Sequence, residues 1–499
     1  MTDRHRTRRQ LSGALLALTA ASALLLTACA ADENGGSATD SRYGNGVPAP
    51  APDRPRGEDS ATAPSADHLS TFALDVDTAS YGYARRTLAD GRRPAPSTVR
   101  AEEFVNSFRQ DYPTPDGNGF TVTVDGARTS DPDWSLVRVG LATRTADATA
   151  ERPPAALTFV IDVSGSMDEE DRLDLAKRSL DTMTDRLRDD DSVAIVTFSE
   201  HAEKVLPMTR LGGHRGLVHR AVDGLAARYS TNLGEGVETG YATAVEGLRK
   251  GATNRVVLIS DALANDGETS PDAILKRIAG DRREYGITLF GVGVGGDYGD
   301  ALMERLADRG DGHTAYVSDT AGADRVFCEQ LPENIELVAR DAKAQVAFDP
   351  QTVDDFRLIG YQDREVADED FRDDRVDGGE VGPGHTVTAL YAVRTRPGAD
   401  GHLATATVRW LDPGTRAPHE NTGSVETKVL HDDVWSASPR FQVAAVAAYF
   451  ADALANGKYD MPGAPSLTTL QSRATALARA AEDEDVAELS TAIGEATRL

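Results

Sequence analysis

The residues with the clearest potential for chemistry lie in a short loop near the middle of the chain. Asp162, Ser164 and Ser166 are spaced two apart, directly after the apolar run 155–161. Alternate side chains of an extended backbone point the same way, so we expect these three groups to face one side. A carboxylate and two hydroxyls are hard oxygen ligands of the kind that magnesium requires. Because magnesium takes six oxygens at about 2.1 Å, further ligands must come from elsewhere.

Two other polar residues are candidates for the missing ligands. Thr231 stands where a helix is expected to begin, and Asp261 comes soon after the apolar run 256–259. Ligands of open α/β sheets bind at the carboxyl ends of the strands, so both residues are expected near Asp162. The sequence therefore predicts a site for Mg²⁺, with Mn²⁺ or Ca²⁺ as alternatives. Its predicted residues are Asp162, Ser164, Ser166, Thr231 and Asp261.

This set resembles the metal-ion-dependent adhesion site of von Willebrand factor type A domains. The likeness rests on Asp-x-Ser-x-Ser after a buried strand, a later threonine and an aspartate that ends a later strand. It implies that Ser164, Ser166 and Thr231 contact the ion directly. It implies that Asp162 and Asp261 hold waters around the ion. The open coordination position would take a carboxylate from a protein partner or ligand.

The same residues also have plainer interpretations. Ser166 could cap a helix and Asp162 could form a turn. Asn232 and Ser260 are interpreted as loop residues. The acidic run 168–171 is typical of solvated charges at a helix start, and it would repel an acidic partner. We therefore expect the partner's carboxylate to lie among basic residues.

Residues 154–328 are predicted to form the domain that positions these ligands. Near-continuous apolar runs, typical of strands buried on both faces, occur at 155–161, 193–198, 256–259 and 287–294. Apolar residues three and four apart predict one helix face, made of Leu173, Ala176, Leu180, Met183 and Leu187. This alternation predicts a doubly wound, mostly parallel, Rossmann-like α/β sheet, the fold that the resemblance implies.

The flanking segments predict a different architecture. We expect an N-terminal flanking domain at 67–153 and a C-terminal domain at 329–499 that is β-rich and then helical from Pro439. Predicted helices span 79–90 and 98–110, and a Gly-rich turn spans 378–384. Predicted strands span 120–124, 135–141, 344–348, 355–361, 385–393, 404–410 and 424–430. Since neither set of strands clearly closes a unit alone, we expect them to pair in one β-sandwich.

The beginning of the chain indicates export. Residues 1–28 read as a signal peptide, with basic residues before an apolar stretch too short for a confident membrane span. The end of this segment resembles a lipobox, which implies lipidation of Cys29. Residues 29–66 are predicted to be a disordered tether. Adjacent arginines in the leader also resemble a twin-arginine signal, so the export route stays open.

Composition narrows the possible partners. The chain carries 53 Lys and Arg against 80 Asp and Glu, a formal net charge of −27. Such a surface disfavours nucleic acid, and it leaves the lipid anchor as the expected membrane contact. The sequence has no His-Glu-x-x-His motif, Gly-x-Ser-x-Gly elbow or phosphate loop. We therefore expect no enzymatic activity.

The flanks resemble a known group of bacterial lipoproteins. Segments 74–81, 357–361 and 384–391 look like the YfbK-like group, often labelled calcium-activated chloride channel homologues. The likeness covers about residues 67–495 and implies architecture more than function. The favoured function is cation-dependent binding of a protein or ligand at the extracytoplasmic face of the cell membrane. The alternative is an envelope or transport accessory whose metal site is structural, and a cation-using hydrolase comes third.

Overall fold

The structure is a computed structural model. It describes residues 68–74, 77–145, 152–261, 267, 269–294, 303, 306–307, 312–317, 322–323, 326–327, 335–376 and 378–499. The predicted signal peptide, the tether and Cys29 lie outside the described residues.

Strands and helices account for most of the described chain. The strands are β1 (Leu69–Ala73), β2 (Phe120–Arg128), β3 (Trp134–Thr143), β4 (Ala155–Asp162), β5 (Ser192–Phe198), β6 (Ala202–Arg210), β7 (Thr253–Ser260), β8 (Thr288–Val294), β9 (His313–Val317), β10 (Ala339–Phe348), β11 (Val353–Ile359), β12 (Gly379–Val381), β13 (Thr386–Thr395), β14 (His402–Leu411) and β15 (Pro418–Glu426). The helices are α1 (Ala79–Ala89), α2 (Ala101–Asn106), α3 (Arg172–Arg186), α4 (Arg215–Asp223), α5 (Leu233–Glu246), α6 (Pro271–Tyr285), α7 (Pro439–Leu454), α8 (Leu467–Ala481) and α9 (Glu484–Ala496).

The middle of the chain forms a six-stranded sheet in the order β6-β5-β4-β7-β8-β9. All neighbours are parallel except β6, which pairs antiparallel with β5 at the edge. Every residue of β4, β5 and β8 is buried, which explains their continuous apolar sequences. The predicted mostly parallel α/β sheet is confirmed.

Helix α3 packs on this sheet through the predicted apolar stripe. Leu173, Ala176, Leu180 and Met183 are buried in one cluster with the strand residues Phe159 and Ile195. Two strands of the sheet were not predicted from sequence. Strand β6 is largely exposed and contains a proline, both typical of an edge strand, and β9 is only five residues long.

The segments on either side of this sheet form two antiparallel sheets, β1-β10-β14-β15 and β11-β13-β3-β2, with β12 added to β10. Strand β3 pairs with β13 along its length, from Trp134 against Arg394 to Ala142 against Thr386. The expected pairing between the strand sets before and after the α/β sheet is therefore present.

The two antiparallel sheets bury one common core. Phe72, Val346 and Val408 of one sheet belong to the same buried cluster as Val139 and Tyr391 of the other. The antiparallel unit that was predicted to flank the α/β sheet is confirmed, together with the C-terminal helices. The predicted limits between the domains stay predictions.

Several predicted elements differ in extent from those in the structure, and three of them differ in kind over part of their length. The helix predicted at 98–110 is the six-residue α2, which is followed by a loop in which Asp111 has a positive φ of 55°. The strand predicted at 424–430 ends at Glu426 and continues as a 3₁₀ turn. The Gly-rich segment 378–384 was predicted to be only a turn, yet it contains the short strand β12.

Gly140 in β3 lies against the ring of Tyr112, where an added Cβ atom would overlap the aromatic carbons. Tyr112 is fixed in place because its hydroxyl shares a 2.9 Å hydrogen bond with Oγ1 of Thr388. We expect Gly140→Ala to lower the free energy of unfolding by about 1–3 kcal/mol, the usual cost of overpacking. Urea denaturation measures this change.

The matched control is Gly280→Ala in α6, where nothing lies within 4 Å of the added Cβ atom. This exposed helical position is expected to gain about 0.5–1 kcal/mol, because alanine favours the helix. Equal effects at the two positions would contradict the packing argument.

The C-terminal helices cover one face of the β unit. Helix α7 begins with Ser438 as N-cap, whose hydroxyl accepts from the backbone N–H of Phe441 at 3.3 Å. Most of α7 is buried in one cluster with residues of α2, α8 and α9. Among the described residues, every helix is too short or too polar to cross a lipid bilayer.

Candidate metal centre

Asp162 ends β4 and is completely buried. Its Oδ1 atom accepts a hydrogen bond from the backbone N–H of Ser164 at 2.8 Å. The backbone N–H of Val163 donates to the carbonyl of Phe198, the last residue of β5, at 3.0 Å. The carboxylate and its loop are therefore held at the carboxyl ends of two adjacent parallel strands.

The two serines of the motif lie side by side, but Ser166 belongs to the 3₁₀ turn Gly165–Asp171 and not to the extended loop that was predicted. The Oγ atoms of Ser164 and Ser166 are 3.1 Å apart. Two ligands at right angles, each about 2.1 Å from an octahedral magnesium, would be about 3.0 Å apart. The hydroxyl pair therefore fits adjacent positions of such a shell.

The end of β7 contacts Asp162 directly. Ser260 donates a 2.6 Å hydrogen bond from its hydroxyl to Oδ2 of Asp162, and both side chains are fully buried. The interpretation of Ser260 as a loop residue was therefore wrong, because it ends a central strand and orients the carboxylate. Asp261 follows it and is also buried.

Thr231 lies in the segment that leads into α5, and its side chain is buried. The backbone N–H of Arg228 donates to the carbonyl of Val163 at 2.6 Å, and that of Asn232 donates to the carbonyl of Ser199 at 2.7 Å. These bonds tie the segment to the ends of β4 and β5. The structure thus places the segment that contains Thr231 against the ends of β4 and β5, while the role of Thr231 at an ion stays a prediction.

Asn232 is better described as the N-cap of α5 than as a loop residue. Its Oδ1 atom accepts from the backbone N–H of Glu235 at 3.2 Å. Ser230, two residues before Asn232, has a positive φ of 71°. A left-handed residue before a capped helix sets the direction in which the chain enters α5.

Arg172 is a residue of this centre that the sequence reasoning missed. Its Nη1 atom lies 3.3 Å from Oδ2 of Asp261 and 3.2 Å from the carbonyl oxygen of Ser166. Its side chain is only 4% exposed. The guanidinium of Arg172 therefore links the 162–166 loop to the residue that follows β7. In the sequence, the neighbouring acidic run 168–171 gave no reason to single out this arginine.

The electrostatic environment disfavours the negative charge of Asp162. Burial raises the pKa of the Asp162 carboxyl to about 6, and the negative charge of Asp261 acts in the same direction. Hydrogen bonds from Ser260 and Ser164 partly oppose this rise of the pKa. Two buried carboxylates near one another favour a nearby cation.

The donors at this edge suit a hard cation. Among the described His, Cys, Asp and Glu residues, no three come together as a metal-binding group. The donors present at the candidate centre are the carboxylates of Asp162 and Asp261 and the hydroxyls of Ser164 and Ser166, and Thr231 is the predicted further donor. Such oxygen donors match magnesium, manganese or calcium rather than a metal that prefers sulfur or imidazole.

Two known protein families match consecutive parts of this chain. The von Willebrand factor type A domain family matches residues 156–327, and the family described as the C-terminal region of uncharacterized protein YfbK matches residues 333–496. The chain is a YfbK-like protein with a von Willebrand factor type A domain. A third family, described as von Willebrand factor, matches residues 55–137 of this YfbK-like chain.

Two relatives carry names that leave their function open. Uncharacterized protein YfbK of Escherichia coli K12 is 36% identical over 334 residues, which cover 65% of this chain and 57% of the relative. Uncharacterized protein sll0103 of Synechocystis is 26% identical over 215 residues, which cover 43% of this chain and 50% of the relative. The chain therefore spans about half the length of these relatives.

Solved structures resemble the YfbK-like chain at low identity. A von Willebrand factor type A protein from Catenulispora acidiphila has a TM-score of 0.45 and 17% identity, and the match covers 76% of this chain and 89% of that protein. The ArnB paralog VWA2 from Sulfolobus acidocaldarius has a TM-score of 0.40 and 16% identity, and the match covers 76% of this chain and 97% of the paralog.

Membership of the von Willebrand factor type A family indicates protein or ligand binding, and such domains are generally not enzymes.

Proposed function

We propose that this protein binds a protein or ligand partner through a divalent cation held at the carboxyl edge of the α/β sheet. The observation that carries the proposal is the hydrogen bonding of Asp162 to Ser164 and to Ser260 at the end of β7, with the Ser166 hydroxyl beside that of Ser164. The proposed ligand set is Asp162, Ser164, Ser166, Thr231 and Asp261. Magnesium is the proposed ion, with manganese or calcium as alternatives.

Each part of the site has a distinct proposed role. The cation supplies a positive charge that attracts a carboxylate from the partner. The serine and threonine hydroxyls bind the ion directly, while Asp162 and Asp261 hold water molecules around it. Ser260 fixes the carboxylate of Asp162 through its 2.6 Å hydrogen bond, so that Asp162 does not need to reorganise when the ion binds.

The proposed location is the extracytoplasmic face of the cell membrane. A lipid on Cys29 would attach the chain, and residues 29–66 would hold the folded part away from the bilayer. Asp and Glu outnumber Lys and Arg in this chain, so basic residues would attract it only weakly to anionic lipids. This composition supports attachment to the membrane through the lipid.

A pull-down from envelope extracts tests the proposed function. Wild-type protein and Ser164→Ala would be used as baits, each with magnesium and with chelator. We expect partners captured only by the wild type and only with magnesium. Ser472→Ala, which changes an exposed serine of α8, is the matched control and should behave as the wild type. Equal capture by Ser164→Ala, or capture unaffected by chelator, would refute metal-dependent binding.

A structural role for the ion is the second candidate. The hydrogen bonds of the site join the 162–166 loop, the end of β5, the segment before α5 and the end of β7. An ion there would also hold these loops together. If chelator lowers the thermal stability without changing partner capture, the structural role is favoured over the binding role.

The charges at the rim predict the nature of the partner's surface. Asp168 and Glu169 are exposed directly after the serines of the motif. Changing Asp168, Glu169 and Glu170 to Lys should weaken partner binding by about tenfold or more, because it replaces attraction of basic groups by repulsion. Titration at low salt measures the change. Unchanged or tighter binding would contradict a partner carboxylate placed among basic residues.

A further inference from the structure

A buried arginine stands beside the two carboxylates of the candidate metal centre. Arg172 begins α3, and its side chain is 4% exposed. Its Nη1 atom lies 3.3 Å from Oδ2 of Asp261 and 3.2 Å from the carbonyl oxygen of Ser166. Burying a guanidinium is costly, so it requires compensation by a partner such as this carboxylate.

Three buried charged groups contribute to the charge of the centre at neutral pH. Asp162 and Asp261 bring two negative charges and Arg172 brings one positive charge, which leaves a net charge of about −1. A divalent cation would change this to about +1, and one carboxylate would bring it to about zero. Without Arg172, the cation alone would already neutralise the two aspartates.

We propose that Arg172 sets the charge of the site, so that the site holds its cation loosely and, once loaded, selects a partner group with a single negative charge. This inference rests on the proposed function. Arg172 acts here as a positioning and specificity-determining residue: it orients Asp261 and leaves the loaded centre positive. The charges of Asp162 and Asp261 act in the opposite direction.

The proposal differs from a purely structural role in a measurable way. If Arg172 only anchored α3, its loss would loosen the loop and weaken the binding of cation and anion together. If Arg172 sets the charge, its loss strengthens cation binding and weakens anion binding. The second pattern has opposite signs for the two ligands, which disorder of the site does not produce.

The test uses Mn²⁺ as the cation and acetate as the carboxylate. Electron paramagnetic resonance of free Mn²⁺ gives the metal affinity, and the water-proton relaxation of the Mn²⁺-loaded protein gives the acetate affinity. For Arg172→Gln we expect Mn²⁺ to bind about tenfold more tightly and acetate about tenfold more weakly, the order expected for one nearby charge. Arg172→Lys keeps the charge and should stay close to the wild type in both measurements.

The matched control is Arg178→Gln, the same substitution at an exposed position of α3. It should leave both affinities unchanged. Weaker binding of both ligands by Arg172→Gln, or an unchanged acetate affinity, overturns the proposal. If Arg172→Gln does not fold, Arg172→Lys still decides: a large shift of either affinity despite the retained charge overturns it.

Failure of this inference can be told apart from failure of the proposed function. Wild-type protein that binds no Mn²⁺, or Ser164→Ala that binds it equally well, refutes the metal centre itself and this proposal with it. Normal Mn²⁺ binding by the wild type, lost in Ser164→Ala but unaltered in Arg172→Gln, refutes only the role of Arg172.

Discussion

Replacing Asp162 by asparagine is expected to abolish the stabilisation that magnesium gives the wild-type protein. At a magnesium concentration about a hundredfold above its dissociation constant, the wild type should gain about 2.7 kcal/mol of folding free energy. The amide removes the buried negative charge but keeps the shape of the side chain. It can still accept the hydrogen bond from the Ser164 N–H, so the loop is expected to keep its conformation.

Thermal unfolding with magnesium and with chelator measures this effect. Asp174→Asn removes the same charge from an exposed position of α3 and should keep the full response to magnesium. A magnesium-dependent rise of the melting temperature that survives in Asp162→Asn would mean that the ion acts elsewhere. A wild-type protein whose stability ignores magnesium, manganese and calcium would contradict the site altogether.

The central part of this site could be predicted because short-range geometry determines it. Asp162, Ser164 and Ser166 are close in sequence, so their proximity could be predicted, although Ser166 lies in the 3₁₀ turn Gly165–Asp171 and not in the extended loop that the alternation assumed. The position of Asp261 followed from a general property of parallel sheets, whose carboxyl edges gather ligands. Both arguments need only the strand pattern, which the buried runs of β4 and β7 made plain.

Other members of the site depend on contacts that the sequence does not encode locally. Ser260 contacts Asp162 only because β4 and β7 are neighbours in register, a pairing across nearly a hundred residues. Arg172 reaches Asp261 because the 3₁₀ turn Gly165–Asp171 brings the start of α3 back over the strand ends. No spacing rule selects one arginine among many for such a contact.

The pairing of the flanking strands was anticipated from a shortage of partners rather than from a motif. Within the segment before the α/β sheet, β2 and β3 pair only with each other, because β1 pairs with β10, and an isolated two-stranded hairpin is marginally stable. Partners therefore had to come from the C-terminal segment. The register of β3 against β13 could not be predicted, because both strands are almost continuously buried and give no alternation.

A buried ion pair connects the α/β sheet to the β unit, on the side away from the candidate metal centre. Arg255 near the start of β7 is fully buried, and its Nη2 atom lies 3.6 Å from Oε2 of Glu380 in β12. Its Nε atom donates to Oγ1 of Thr288 at 2.8 Å. Burial lowers the pKa of the Arg255 guanidinium, while Glu380 opposes this and Arg340 reinforces it. Glu380 is thus a carboxylate placed between two arginines, since Arg340 lies 3.3 Å from its Oε1 atom.

Glu380→Gln is therefore expected to destabilise the protein strongly, by about 3–5 kcal/mol, because it leaves the charge of Arg255 buried without its carboxylate. Arg255→Met combined with Glu380→Gln should recover part of this loss, since the double variant no longer buries an uncompensated charge. Urea denaturation of the single and double variants measures the coupling, with Glu369→Gln at an exposed position as the control. If the free energy of unfolding of Glu380→Gln lies within about 1 kcal/mol of the wild-type value, the buried pair contributes no more to stability than a surface salt bridge. In that case the α/β sheet would be joined to the β unit mainly by apolar packing rather than by this ion pair.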